Sequence, residues 1–362
     1  MSDKTKIEWT DATVNAVNGC TVVSPGCTNC YAMRLAGTRM RSHPTREGLT
    51  TDSKAGPVWN GQVRFNETAL LQPLRWKKPR KIFWNAHGDL FHPAVPDWWI
   101  DRCFAVMALT PQHVHQVLTK RSARMREYMT RLSAMWHDAG DPFDDRIGTL
   151  LVELSGSPCA IGMWEEEFVL PHVWLGVSVE DQERRARLLD LAATPASVRF
   201  VSGEPLLEGV TLTDIPIQTD EWGREWLFDA LSGEQYFVDD LGFKVSGDGP
   251  DMEPLDWVIV GGESGPSARP MHPDWARSLR DQCAAAGVPF HFKQWGSCLP
   301  GNMDGEDERG NPAYNIEDAA QPVDYDDLGR GKLVQAGGDF IRFNHKRTGR
   351  LLDGMQHDGM PA

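Results

Sequence analysis

The chain of 362 residues contains no apolar run long enough to cross a membrane. Positive charge is also scarce, because 37 Lys and Arg residues stand against 51 Asp and Glu residues, a formal net charge of −14. This charge argues against a protein that binds nucleic acid over its whole surface, although a local basic patch remains compatible with it. No signal peptide is recognisable, so we expect a cytoplasmic protein without membrane partners.

Cysteine is infrequent, and the seven cysteines are an odd number. An odd count in a long chain argues against a disulfide framework and favours a reducing compartment. Three of the seven are nevertheless clustered: Cys20, Cys27 and Cys30 lie in the run GCTVVSPGCTNC. We call residues 20–30 the cysteine loop. The Pro and Gly between the first two cysteines allow the loop to curve around a bound group.

Three thiolates are one fewer than the four ligands of a structural zinc site. They match a [4Fe–4S] cluster in which three irons bind protein and the fourth is open to a small molecule such as S-adenosylmethionine (SAM). The spacing leaves open a zinc site completed by a histidine such as His87 or His92, and also thiols that bind no metal. A separate site of His87, Asp89 and His92 is a further alternative, since imidazole and carboxylate are common metal ligands.

Eight β-rich segments alternate with helical patterns along the chain, and most are continuously apolar or β-branched, as in covered parallel strands. The predicted strands are 13–17, 63–65, 81–85, 114–119, 173–179, 198–202, 257–260 and 290–294. Four helices are predicted. Asp97 and Ser122 can cap the first two, and Glu183 lies four residues before Arg187 on the third. Pro273 opens the fourth, which Gly287 closes just after Ala286. Repeated strand–helix units predict an α/β fold, a parallel (βα) barrel of six to eight strands.

The barrel is predicted to span 1–298, with two acidic, weakly periodic insertions at about 136–170 and 208–254. Residues 299–362 are predicted to form a C-terminal extension. Its first part is acidic, and the run 342–350 that follows is basic and contains His345, Lys346 and Arg347. No internal sequence repeat is recognisable.

Several predicted strands are followed by residues that carry chemistry. In a parallel barrel the carboxyl ends of the strands form one face, where active sites are built. Acidic side chains and backbone amides beside glycine are suitable ligands for the ammonium, ribose and carboxylate groups of SAM. The predicted cofactor-binding residues are Glu180, Glu204, Gly261, Gly262, Glu263 and Ser264.

Basic residues follow the same strands. Lys120, Arg121 and Lys293 are predicted to bind an anionic substrate, and Arg269 would suit the same role. The alternative is that these cations form ion pairs with the neighbouring glutamates.

Long motifs resemble a known group, the bacteriophage and actinobacterial three-cysteine-motif proteins, an uncharacterised family related to radical SAM enzymes. The resemblance covers essentially the whole chain, except the two insertions and the acidic part of the extension. Its motifs are KIEWTDAT, the cysteine loop, LRW, DLFHP, QVLTKR, WLGVSVE, RFVSGEPLL, VIVGGESG, FKQWG and GRLLDG.

The resemblance implies a radical-SAM-like barrel, a [4Fe–4S] cluster on Cys20, Cys27 and Cys30, and SAM. The cysteine spacing, with six and then two intervening residues, departs from the usual radical SAM pattern of three and then two. The implied protein is an enzyme that cleaves SAM to generate a radical, with an external electron donor. A nucleic acid or nucleotide that is modified or repaired is the expected substrate. The alternative is a zinc-stabilised, non-catalytic protein that binds nucleic acid or a partner.

Overall fold

A computed structural model describes most of the chain. The described residues are 5, 7–138, 146–157, 169–247, 249–306, 312–317, 320, 331–336, 338–343 and 348–361. The basic residues His345, Lys346 and Arg347 lie outside them, as do much of the first predicted insertion and of the acidic segment.

The fold is mixed α/β and is built on a parallel sheet of seven strands, curled into a half-barrel. The strands follow one another in the sheet in the order in which they occur along the chain, an arrangement compatible with the predicted (βα) barrel. They are β1 (Ala12–Val14), β2 (Lys81–Trp84), β3 (Val114–Thr119), β4 (Val173–Ser178), β5 (Val198–Gly203), β6 (Trp257–Gly261) and β7 (Phe290–Gln294).

Continuous burial explains why these segments form parallel strands. Every residue of β4 and of β6 is buried, as expected for strands that are covered on both faces.

One predicted strand does not belong to the large sheet. Arg64–Phe65 pairs antiparallel with Val17–Asn18 in a separate two-stranded sheet. The predicted strand 13–17 is also divided, because β1 ends at Val14 and Val17 belongs to the two-stranded sheet. The Val17 N–H donates to Asn85 Oδ1 at 2.8 Å.

The four predicted helices are present, together with three among the described residues that were not predicted. Asp97 was predicted as a cap but is the first helical residue, and Pro96 occupies the N-cap. The predicted helix at Glu183 begins as a turn of 3-10 helix. The helix bounds are α1 (Tyr31–Gly37), α2 (Glu67–Leu70), α3 (Asp97–Ala108), α4 (Ser122–Asp138), α5 (Arg146–Ser155), α6 (Arg187–Ala192) and α7 (Pro273–Ala286). Short 3-10 helices lie at Pro25–Cys27, Pro73–Arg75 and Glu183–Ala186. None of the described helices is long and apolar enough to cross a membrane.

The chain divides into two compact units. The first comprises Met1–Val23, Cys30–Val177 and Ala193–Arg199. Its core contains large buried side chains such as Trp9, Trp84 and Phe104. A hairpin of Thr50–Ser53 and Gly56–Trp59 lies beside α1.

The second unit comprises Ser24–Asn29, Ser178–Ala192 and Phe200–Ala362. It contains two four-stranded antiparallel sheets and a hairpin. The first sheet occupies the predicted insertion 208–254 and has the strands Ile215–Thr219, Glu225–Phe228, Gln235–Val238 and Lys244–Ser246. The second has Cys298–Glu306, Pro312–Ile316, Gly331–Gln335 and Asp339–Phe343, and the hairpin joins Leu351–Leu352 to Met355–Gln356.

Candidate functional site

The cysteine loop is locally ordered by its own backbone. Ser24 is extended, and a turn of 3-10 helix follows over Pro25–Cys27, in which the Cys27 N–H donates to the Ser24 carbonyl at 3.0 Å. Cys30 stands immediately before α1 and accepts a hydrogen bond from the Arg34 N–H. Cys27 is buried, whereas Cys20 and Cys30 are partly exposed, and none of the three forms a disulfide with another described residue.

Glu180 supports the middle of the loop. It follows β4 and is completely buried, and its carboxylate accepts hydrogen bonds from the Ser24 hydroxyl and from Arg187 Nη1, the latter at 2.7 Å. The Gly26 backbone lies directly against this carboxylate, because a Cβ atom at residue 26 would stand 2.5 Å from Glu180 Oε1. The buried charge of Glu180 is thus balanced by Arg187 and touches the loop.

Glu263 supports the end of the same segment. Asn29 Nδ2 donates to Glu263 Oε2 at 2.8 Å and to the Ser267 carbonyl at 2.9 Å. Arg269 donates to both carboxylate oxygens, through Nη2 at 2.6 Å and Nε at 3.0 Å. Both oxygens of this predicted cofactor ligand are therefore engaged within the protein.

In the first unit, Arg121 supports the beginning of the loop. Its guanidinium donates to Asp89 Oδ2 at 2.8 Å, and to the carbonyl and hydroxyl of Thr21 at 3.0 and 2.8 Å. Burial lowers the pKa of Arg121, but interactions with Asp89 and Cys20 outweigh it and raise the pKa above its usual value. A cation beside a cysteine is the environment that favours the metal-binding thiolate form.

Asp89 organises this side of the site. Its carboxylate accepts from the Thr119 hydroxyl at 2.7 Å, from the Lys120 N–H at 3.1 Å and from the Phe91 N–H at 3.0 Å, in addition to Arg121. Because four donors already surround the carboxylate, Asp89 acts here as a structural acceptor.

The neighbouring histidines are also engaged. His92 Nε2 contacts the Thr21 hydroxyl at 3.1 Å, and its Nδ1 accepts from the Ala94 N–H at 3.1 Å. His87 Nδ1 contacts Arg46. Burial lowers the pKa of each ring to about 4. Within the described residues, no three His, Cys, Asp or Glu side chains are arranged to hold one metal ion, so the predicted mononuclear alternative gains no support.

Lys293 and Glu204 form an ion pair, with 2.6 Å between Nζ and Oε1. The side chains of Lys293 and Glu204 are 18% and 15% exposed, and the Ser202 hydroxyl donates to the other carboxylate oxygen at 3.2 Å. This pair and Arg269–Glu263 match the alternative in which the predicted cations form ion pairs with the neighbouring glutamates, whereas Arg121 pairs with Asp89. A role of Lys120, Arg121 or Lys293 in substrate binding stays a prediction.

The predicted glycines lie where two backbone segments cross. A Cβ atom at Gly262 would stand 2.0 Å from the Trp295 carbonyl oxygen, and one at Gly261 would stand 3.0 Å from Glu204 Oε1. The Gly262 N–H donates to the Gln294 carbonyl at 2.8 Å, and the Ser264 hydroxyl accepts from Gln294 Nε2 at 3.0 Å. Close packing therefore explains these residues, and cofactor contacts from them stay a prediction.

Three supporting residues of the site were not predicted from the sequence. Ser24 and Asn29 lie between the cysteines, and a polar residue on each side of Cys27 was a usable signal. Arg187 is seven residues from Glu180 along the chain, and this separation gives no local sign of their ion pair.

Comparison with known proteins gives a family but no function. A family model described as "Protein of unknown function (DUF5131)" matches residues 4–361. Comparison with curated proteins and with solved structures finds no significant match. The family is uncharacterised, and the match shows no link to radical SAM enzymes. Because the family model covers nearly the whole chain, the protein belongs to the DUF5131 family.

Proposed function

We propose that this protein is a radical SAM-type enzyme whose [4Fe–4S] cluster is held by Cys20, Cys27 and Cys30. The observation that carries the proposal is a segment of eleven residues that contains three cysteines, none of them in a disulfide with a described residue, and is supported by buried charged side chains that follow parallel strands. Buried charged side chains around one loop are typical of a functional site, because burying charge costs free energy that a purely structural loop does not require.

The donor set fits a cluster better than a single metal ion. The thiolates of a [4Fe–4S] cluster bind different irons, so their sulfur atoms do not converge on one point as they would around zinc. Three thiolates supply ligands to three of the four irons of a cluster, whereas a structural zinc site needs four ligands. In addition, Arg187 balances Glu180, so the loop is not placed against uncompensated negative charge.

When bound, the cluster would supply the electron that cleaves SAM and begins radical chemistry on the substrate. The protein's own residues would hold the loop in place: Arg121 through Thr21, and Glu180 through Ser24. Lys293 and Glu204 are suited to a zwitterionic ligand such as the methionine part of SAM, because both charges are partly exposed and of opposite sign.

The predicted nucleic acid or nucleotide substrate and the external electron donor remain part of the proposal on the basis of the resemblance. The ion pairs of Arg121 and Lys293 reduce the support for an anionic substrate at these residues. The zinc-stabilised alternative needs a fourth ligand, and His92 is a poor candidate because both of its ring nitrogens already have partners.

The test is anaerobic purification followed by iron, sulfide and zinc analysis and absorption spectroscopy. We expect about four irons per chain and a band near 400 nm, and the reduced protein should convert SAM to 5′-deoxyadenosine. Replacing Cys20, Cys27 or Cys30 by Ala should remove most of the iron.

The matched controls are Cys103→Ala and Cys283→Ala, since both thiols are completely buried and burial raises their pKa. These variants should keep the iron and lose only stability, through the cavity that they create. Full iron retention in Cys27→Ala, or a colourless protein with one zinc ion, would refute the cluster.

A further inference from the structure

The antiparallel sheet between Ile215 and Ser246, in the second unit, ends in two turns of the same construction. In the first, Asp220 Oδ1 accepts from the N–H groups of Trp222 and Arg224, both at 3.0 Å. In the second, Asp239 Oδ1 accepts from Leu241 and Phe243 at 2.9 and 2.8 Å. A glycine with positive φ, 77° at Gly223 and 86° at Gly242, completes each turn.

Both turns lie at the same end of the sheet. The four strands pair antiparallel in chain order, so the first and third connections share one end and the second connection lies at the other. The Asp220 turn is the first connection, and the Asp239 turn is the third. We call this end of the sheet, residues 220–224 and 238–245, the sheet tip.

The sheet tip is unusually apolar for a solvent-exposed surface. Five of the ten large hydrophobic side chains that are exposed in the described chain lie between residues 222 and 245. Their exposures are 71% for Trp222, 50% for Val238, 81% for Leu241, 66% for Phe243 and 38% for Val245. Isolated exposed apolar residues need no explanation, but a concentration of them marks an interaction surface.

The aromatic part of the tip is preorganised. The Arg224 guanidinium lies between two rings, 4.5 Å from the Trp222 centroid and 4.4 Å from the Phe237 centroid. Arg224 also donates to Asp220 at 2.7 Å, which holds this stack against the turn. Little side-chain entropy would be lost when Trp222 is covered, and this favours binding.

The charge around the tip selects the partner. Residues 219–246 contain seven acidic and two basic residues. Both cations are already paired, Arg224 with Asp220 and Lys244 with Asp214. Glu221, Glu225 and Asp240 are exposed and form no ion pair within the described part of the chain. The apolar surface is therefore surrounded by unbalanced negative charge.

We propose that the sheet tip is a docking surface for a partner protein that presents an apolar patch surrounded by Lys and Arg. Opposite charges around complementary apolar surfaces favour and orient such an association. The same negative charge disfavours nucleic acid and anionic membranes, and it makes a second copy of the tip a poor partner through like-charge repulsion.

A random peptide library displayed on phage tests the proposal with the full-length protein as the target. After selection at physiological salt, we expect peptides that combine Lys or Arg with apolar residues. Their affinity for the variant Trp222→Ser/Leu241→Ser/Phe243→Ser should fall at least about tenfold. The control Trp98→Ser, which changes an exposed Trp of the first unit, should bind them like the wild type.

A second variant tests whether the negative charge contributes to binding without any change in folding. Glu221→Lys/Asp240→Lys leaves the apolar residues intact, and it should weaken binding of the basic peptides at least about tenfold while circular dichroism stays unchanged. The proposal is overturned if no selected peptide depends on the tip residues, or if the dependent peptides are acidic. It is equally overturned if sedimentation shows that the wild type self-associates and the triple variant does not.

Discussion

The contact between Gly26 and Glu180 leads to a quantitative prediction for Gly26→Ala. The added Cβ atom would lie 2.5 Å from Oε1 and 2.9 Å from both Cγ and Cδ of Glu180. Carbon atoms pack at about 3.5–4.0 Å, so one of the two groups must move by roughly an ångström. Glu180 is completely buried and is held by Arg187 and Ser24.

The magnitude follows from the two ways of relieving the collision. Separating the buried carboxylate from its partner would cost about 3–5 kcal/mol, whereas overpacking with a local backbone shift costs about 1–3 kcal/mol. We therefore expect the loop to move and the free energy of unfolding to fall by about 1–3 kcal/mol. Under the proposed function, the iron content should fall as well, because Cys27 follows residue 26 directly.

Urea denaturation of the protein without cluster provides the measurement. Gly338→Ala is the matched control, since its Cβ would make ordinary contacts at 3.5 Å or more and no positive φ is required there. Glu180→Asp shortens the opposing side chain by one methylene group. The double variant Gly26→Ala/Glu180→Asp should then be about 1 kcal/mol more stable than the sum of the two single changes predicts.

Two results would refute this reasoning. One is a Gly26→Ala variant as stable as Gly338→Ala. The other is strict additivity of Gly26→Ala and Glu180→Asp, since residues in contact should show an interaction energy.

Three further predictions concern two of the other supports and three buried histidines. Asp89→Asn should destabilise the protein by about 3 kcal/mol because it leaves the buried Arg121 without its counter-ion, and a loss below about 1 kcal/mol in urea denaturation would contradict this. Asn29→Ala should cost about 1 kcal/mol through its lost hydrogen bond to Glu263, whereas Thr28→Ala, an exposed neighbour, should leave the melting temperature unchanged. Burial lowers the pKa of three histidines to about 4, whereas it is about 6.5 in the unfolded chain. Their contribution to the free energy of unfolding is therefore complete above pH 6.5 and is lost as the pH falls towards 4. The loss is up to about 1.4 kcal/mol per pH unit for each ring. Urea denaturation between pH 7.5 and about pH 4.5 checks this, and a flat profile would contradict it; the rings are His87, His92 and His291.

Local signals predicted the elements well where one segment contains all the information. The bounds Val114–Thr119 and Pro273–Ala286 agree with the prediction to the residue, since a continuous apolar run, a proline at the first turn and Gly287 after the last are all local. Arg64–Phe65 was correctly predicted to be a strand, but it was wrongly assigned to the parallel sheet. A run of three residues cannot indicate which strand it will pair with.

The candidate site divides in the same way. The three cysteines and the residue types after the strands could be read from the sequence, because metal-binding thiols lie close together in the chain and parallel strands end on one face. The contacts that support the loop could not be read from the sequence, because Arg121, Glu180 and Glu263 reach it across 100, 156 and 234 residues of chain. The sheet tip was likewise missed, because its two matching turns share only Asp and Gly.

By itself, the sequence determined the α/β class, the positions of the seven strands of the parallel sheet and the residue types that follow them. Only the tertiary structure decided what each charge does there. Glu180, Glu263 and Arg121 were predicted to contact a cofactor or a substrate, and this stays a prediction; the structure adds that all three hydrogen-bond the cysteine loop. The physical reason is that hydrogen bonds and ion pairs depend on distances of a few tenths of an ångström. Residue order determines which strand ends are neighbours, but side-chain packing alone determines those distances.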